Sequence, residues 1–298
     1  MTNAAPLLLL LALSLPVGAV AQSPQEASVE LDLAYVADGG HKQQLDLYTP
    51  STAGFPTILF VHGGSLTSGD RKDEPTAQMC ETFQSLGIAC AAMSYQLAPE
   101  HHWPTMPRDV ASAFAWVKRN ITARGGDPDR VLLFGHSSGC LLSAIVSADE
   151  TYLAAHGLGP RDVAGTIPMG CRLNDRLEVA DSPNEFTRDY EVMRISSSRV
   201  EGFLSENPYE TVEDVNNAVP AAHVTEDLPP TLVLVAEGER FFPPILRDGA
   251  EFVGRALAAG AEAELIVLEN RRHMSAIEMM VTAEDPTLRL VVDFVESH

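Results

Sequence analysis

Positive charge is scarce in this sequence. Lysine occurs three times, at Lys42, Lys72 and Lys118, and Lys and Arg together number 20 against 41 Asp and Glu, for a formal net charge of −21. A surface of that sign repels phosphate backbones and anionic head groups, which argues against nucleic acid as a partner. No apolar run reaches the roughly 20 residues that a membrane-spanning helix needs. No repeat of 20–50 residues and no low-complexity tract is present, which removes solenoid and fibrous classes. The four cysteines, Cys80, Cys90, Cys140 and Cys171, lack metal-ligand spacing. His101 and His102 have no acidic partner at ligand spacing, so no metal site is expected. What remains is an ordinary globular composition, 45% hydrophobic over 298 residues, enough for one large core.

The first 21 residues read as an export signal. Leu7 to Val20 is apolar, too short to span a bilayer, and it ends in Ala19-Val20-Ala21 before polar Gln22-Ser23. Met1 to Pro6 holds no Lys or Arg, so only the α-amino group supplies the usual positive charge. Cleavage after Ala21 would leave Gln22 to His298 outside the cytoplasm, periplasmic or secreted, with no stable membrane anchor. An exported chain can oxidise its thiols. Cys80 with Cys90 and Cys140 with Cys171 are the candidate disulfides, set against four small buried thiols.

Beyond the signal the pattern alternates between strand and helix. Val29–Val36 and Gln43–Tyr48 alternate apolar and polar residues, as half-exposed strands do. Pro56–His62, Ile88–Tyr95 and Val131–Phe134 are apolar runs expected of buried strands, and Val163–Met169, Thr231–Ala236 and Ala263–Leu268 read as further strands. Helical spacing or position marks Thr76–Leu86, Arg108–Asn120, Leu141–Ala148, Ile245–Ala259 and Leu288–Val295. Gly125-Gly126-Asp127-Pro128 reads as a turn. Arg172 to Val224 is polar and holds no buried-strand run, so a cap insertion is expected at about 172–226. The fold class is therefore α/β, a mostly parallel sheet with helices on both faces and a cap. In such sheets the functional site lies beyond the carboxyl ends of the strands.

Gly135-His136-Ser137-Ser138-Gly139 follows one buried strand and precedes a helix. In that context G-x-S-x-G is a nucleophile elbow, whose glycines permit the tight turn that lifts a serine hydroxyl off the sheet. Ser137 is thus the candidate nucleophile. It needs a base, and His273 stands in the loop after Ala263–Leu268, at the same sheet edge. The base in turn needs an acid after Thr231–Ala236. That stretch offers Glu239, with Glu237 and then Asp248 as alternatives. His62-Gly63-Gly64 follows Pro56–Val61, where the N–H groups of Gly63 and Gly64, with that of Ser138, would form an oxyanion hole. The chain order Ser, acid, His differs from that of chymotrypsin and of subtilisin.

These motifs resemble the α/β-hydrolase superfamily. They are most similar to the hormone-sensitive-lipase-like carboxylesterases and the related feruloyl-esterase and kynurenine-formamidase-like group. The resemblance runs from about Val29 to the C-terminus. It is carried by His62-Gly-Gly-Ser65, Tyr95-Gln-Leu-Ala-Pro-Glu100, Asp109 with Trp116, Gly126-Asp-Pro-Asp-Arg130, the elbow, Leu228-Pro-Pro-Thr231 and Arg272-His273-Met274. Three positions depart from the family pattern: the acid is Glu where Asp is usual, Ser65-Leu66 follow the paired glycines, and Gln96 stands where Arg is usual. The resemblance implies a serine carboxylesterase acting on small-molecule esters through an acyl-enzyme, without metal or organic cofactor. An amidase, formamidase or peptidase of the same mechanism is the alternative, and a catalytically inactive binding module is the reading from another class. Oligomeric state is left open.

Overall fold

The computed structural model describes Met1 and residues 26–174, 176–180, 186–188, 192–205, 207–239 and 245–298. Met1 apart, the segment read as an export signal lies outside them. The strands are β1 (Ser28–Ala34), β2 (Gln44–Thr49), β3 (Phe55–Val61), β4 (Ala89–Met93), β5 (Gly126–His136), β6 (Thr166–Met169), β7 (Arg176–Ala180), β8 (Phe186–Arg188), β9 (Val192–Ser196), β10 (Thr231–Ala236) and β11 (Ala263–Leu268). The helices are α1 (Thr76–Ser85), α2 (Thr105–Asn120), α3 (Ser138–Ala148), α4 (Glu150–Ala154), α5 (Ser197–Ser205), α6 (Val212–Asn217), α7 (Ile245–Ala259), α8 (His273–Glu278) and α9 (Pro286–Ser297).

Eight strands form one sheet in the order β1-β2-β4-β3-β5-β6-β10-β11. β1 pairs with β2, and β2 with β4, antiparallel; every other neighbouring pair is parallel. The apolar runs explain this layering. Successive residues of β3 point to opposite faces, and both faces are covered. Leu59 and Val61 join Val110, Phe114 and Val117 of α2 and Leu142, Ile145 and Val146 of α3. Ile58 and Phe60 join Met79 and Phe83 of α1 and Leu288, Val291, Val292 and Val295 of α9. Toward β10, Val233 and Val235 pack on Phe252 and Ala256 of α7.

Several boundaries differ from the sequence pattern. Only Gly125 of the glycine pair turns, with φ +85, and Gly126 already pairs with Phe55. β5 therefore begins five residues before its apolar run. α3 begins at Ser138 and not at Leu141, so the second half of the elbow is its first turn. The 172–226 stretch contains strands after all: β9 pairs parallel with β7 and antiparallel with β8, in a small separate sheet. Arg176-Leu-Glu-Val-Ala and Val192-Met-Arg-Ile-Ser alternate in polarity, which is why no buried-strand run marks them. The two ends of the stretch are joined to each other, where the Ala221 N–H donates to the Leu173 carbonyl at 3.0 Å, and they pack on the main body through Leu173, Val219 and Ala221, which cluster with Ala144 of α3 and Phe252 of α7.

Both candidate cysteine pairs are bonded. Cys80 of α1 joins Cys90 of β4, and Cys140 of α3 joins Cys171 beyond β6. Among the described residues, no helix is long and apolar enough to cross a membrane.

Candidate active site

Four parallel strands, β3, β5, β6 and β10, end side by side, and the next residues of each converge. β5 runs straight into α3 through Ser137, whose φ of +56 is rare for a residue with a side chain. The turn is tight because backbones touch. A Cβ on Gly139 would sit 2.0 Å from the Val61 carbonyl oxygen of β3, and one on Gly135 would sit 2.0 Å from the Gly139 oxygen. The Ser137 N–H donates to the Met169 carbonyl at 2.9 Å, which anchors the elbow to β6.

His273 comes from the loop after β11, at the start of α8. Its Nε2 lies 3.0 Å from Ser137 Oγ, and its Nδ1 lies 2.5 Å from Glu239 Oε1. A carboxylate only accepts, so Nδ1 carries the proton and Nε2 is left to take that of the serine. Glu239 ends the single 3₁₀ turn after β10 and is 4% exposed. Its second oxygen accepts the Ala236 N–H at 2.9 Å, which leaves the carboxylate little freedom. The two alternative acids go elsewhere. Glu237 accepts the Asn270 N–H at 2.9 Å, and Asp248 pairs with Arg172. The acid and base loops are further joined by the Gly238 N–H, which donates to the Arg271 carbonyl at 2.9 Å.

Gly63 lies against the nucleophile: a Cβ there would be 2.9 Å from Ser137 Cβ. Gly64 follows with φ +121, and Ser138 opens α3. The loop after β3 is held from below. The Tyr95 hydroxyl donates to the His62 carbonyl at 3.0 Å, and the two rings stack at 4.3 Å. The His62 Nδ1–H donates to the Gly63 carbonyl at 2.6 Å. Burial pushes the His62 imidazole down to about 4. His136 is also pushed down to about 4, by burial first and then by the neighbouring His273 ring. Its Nε2–H donates to the His273 carbonyl at 2.9 Å.

Two contributors carry no motif. Gly170, directly after β6, has φ +74, and a Cβ there would come within 3.1 Å of Glu239 Oε1 and 3.3 Å of His273 Nδ1. His136 is hidden as the variable residue of the elbow. Gly170 follows a buried strand as the glycines of the other site loops do, but its closeness to Glu239 and His273 is set by residues far away in sequence. A cavity of about 630 Å³ opens at Ser137, lined by Leu141, Cys171, Arg172, Ile245, Arg272 and His273 among others.

The chain matches a family model described as alpha/beta hydrolase fold over residues 58–277. It is similar to a probable carboxylic ester hydrolase, LipM, of Mycobacterium tuberculosis, 26% identical over 218 residues that cover 71% of this chain and 48% of that protein. It thus spans about half the length of that relative. An ethyl acetate hydrolase of Pseudomonas putida is 26% identical over 296 residues, covering 94% of this chain and 86% of that protein. Among solved structures, a truncated carbohydrate esterase from gut microbiota superposes with a TM-score of 0.71 at 18% identity, covering 92% and 97% of the two chains.

Two outcomes follow from this geometry. Gly170→Ala should lower turnover roughly 10- to 100-fold, because misplacement of about an ångström costs that much. Gly157→Ala is the control, since Gly157 has the same φ of +74 and open space around it. It should show the strain of about 1–2 kcal/mol in denaturation and leave turnover in place. The buried histidines should make stability depend on pH. Folded His62 and His136 protonate only near pH 4, whereas unfolded imidazoles do so near about 6.5. Between those values the unfolded chain binds more protons, so stability falls as pH drops from 6.5 to 4, by about 3 kcal/mol for each ring. Urea midpoints measured across that window should track the loss, and His136→Asn should remove about half of it, leaving the part that belongs to His62.

Proposed function

The chain belongs to the alpha/beta hydrolase fold family, and on that premise we propose that it is an exported serine carboxylesterase. The observation that carries this reading is the hydrogen-bonded series from Ser137 Oγ through His273 to the committed carboxylate of Glu239. Such a series turns a weak hydroxyl into a nucleophile. The esterase names among its relatives point to the same chemistry. An intact series also speaks against an inactive binding module.

In the proposed reaction, Ser137 Oγ attacks the ester carbonyl while its proton passes to His273 Nε2. Glu239 stabilises the imidazolium. The N–H groups of Gly63, Gly64 and Ser138 hold the oxyanion. His273 returns the proton to the departing alkoxide, which leaves as the alcohol. Water then gives its proton to His273, its oxygen attacks the acyl-enzyme, and the acid is released as Ser137 regains its proton.

Export is proposed on the N-terminal apolar run with its Ala19-Val20-Ala21 end, and on the two cysteine pairs of a chain whose thiols are all bonded. Protein recovered from outside the producing cell should have an intact mass beginning at Gln22 with both disulfides formed. A mass beginning at Met1 with titratable thiols would overturn export.

A fluorophosphonate probe should modify Ser137, as read by peptide mapping. Ser137→Ala should lose the label and at least about 1,000-fold of the hydrolysis of a short aryl ester. Retention of the parental rate by that variant sinks the mechanism.

A further inference from the structure

We propose that Arg272 selects substrates that carry a carboxylate near the scissile ester, half-esters of short dicarboxylic acids in particular. The proposal rests on the esterase reading above and concerns the same cavity. Among the described residues two arginines, Arg172 and Arg272, line that cavity, and their situations differ. Arg172 is paired with the fully buried Asp248. Arg272 is exposed and, among the described residues, has no carboxylate partner. Its neighbour in sequence makes the contrast plain: Arg271 is buried against Asp285 and Thr287. One of the consecutive arginines therefore serves the fold, and the other faces the substrate space beside His273.

The placement of Arg272 is built. The Gly238 N–H fixes the Arg271 carbonyl immediately before it. A Cβ on Gly238 would stand 3.2 Å from Arg272 Cγ, so the bare α-carbon gives the arginine stem its bed. Glu239, the acid nearest in the cavity wall, has both oxygens engaged, one by His273 and one by the Ala236 N–H. It does not compete for the guanidinium. A planar guanidinium without a partner, at the wall of a partly enclosed cavity, matches a carboxylate through two parallel N–H···O bonds. On a chain of net charge −21, which repels anions at a distance, a local cation is what an anionic ester would require to dwell at the serine.

The test compares monoethyl succinate with ethyl 4-methylpentanoate, its uncharged isostere, on the whole protein. In Arg272→Gln the ratio of kcat/KM for the half-ester to that for the isostere should fall about tenfold, chiefly through KM. Arg272→Lys should keep part of the ratio, since it retains charge without the planar fork. The ratio is internal to each preparation, so a partly folded variant does not blur it. A ratio unchanged within twofold in Arg272→Gln, with the isostere still turned over, overturns the role of Arg272 and leaves the esterase reading standing. Turnover of neither ester by folded parent protein overturns both.

Discussion

The backbone of Gly139 rests on the end of β3, and the geometry around the nucleophile depends on that contact. With the Gly139 α-carbon pressed toward the Val61 carbonyl, the first turn of α3 cannot rise away from the sheet. Ser137 must then take its left-handed turn between β5 and α3. Its N–H reaches sideways to Met169 at the end of β6. One close approach thus brings the loops after β3 and β6 to the same serine. The loop after β3 carries Gly63 and Gly64, and the one after β6 carries Gly170. The strain at Ser137 is held by the surrounding sheet, which is how such conformations persist.

The same logic explains how much was legible beforehand. Strands buried on both faces announce themselves as apolar runs, so β3 and β10 are readable almost to the residue; β11 is the half-buried edge strand, and its run Ala263–Leu268 is legible as well. Ser137, His273 and Glu239 each follow such a run, and the structure brings the three together. The acid was the harder choice because Glu237 and Glu239 flank one glycine. Only the turn after β10 decides which carboxylate folds back toward the sheet and which reaches across to Asn270. Gly170 was not legible for another reason. Its importance lies in the side chain it lacks, and the space it leaves is defined by residues far away in sequence.

The 172–226 stretch shows the limit from the other direction. Its polarity marked it as separate from the sheet, but its three strands pair among themselves with short alternating patterns that resemble exposed loop. What ties the stretch to the body lies at its ends, where Leu173, Val219 and Ala221 join the α7 side of the core. The Cys140–Cys171 bond fastens the same border to the nucleophile helix. The boundary is therefore held covalently close to the place where Gly170 touches the acid and base.

The histidine rings buried beneath the site are kept neutral, and that has a chemical consequence. His136 lies 4.7 Å from His273, ring to ring, and a proton on it would oppose the imidazolium that the proposed general-base step creates. Burial keeps His136 neutral at any pH well above 4, so it can hold the His273 backbone through a neutral N–H donor without adding a second positive charge. Burial keeps His62 neutral as well, beneath the paired glycines. A lysine or arginine in place of His136 would bring a positive charge beside His273 and disfavour proton uptake by the base. His136 thus positions the base as a neutral ring, and in the proposed step the negative charge of Glu239 faces the developing cation from 2.5 Å.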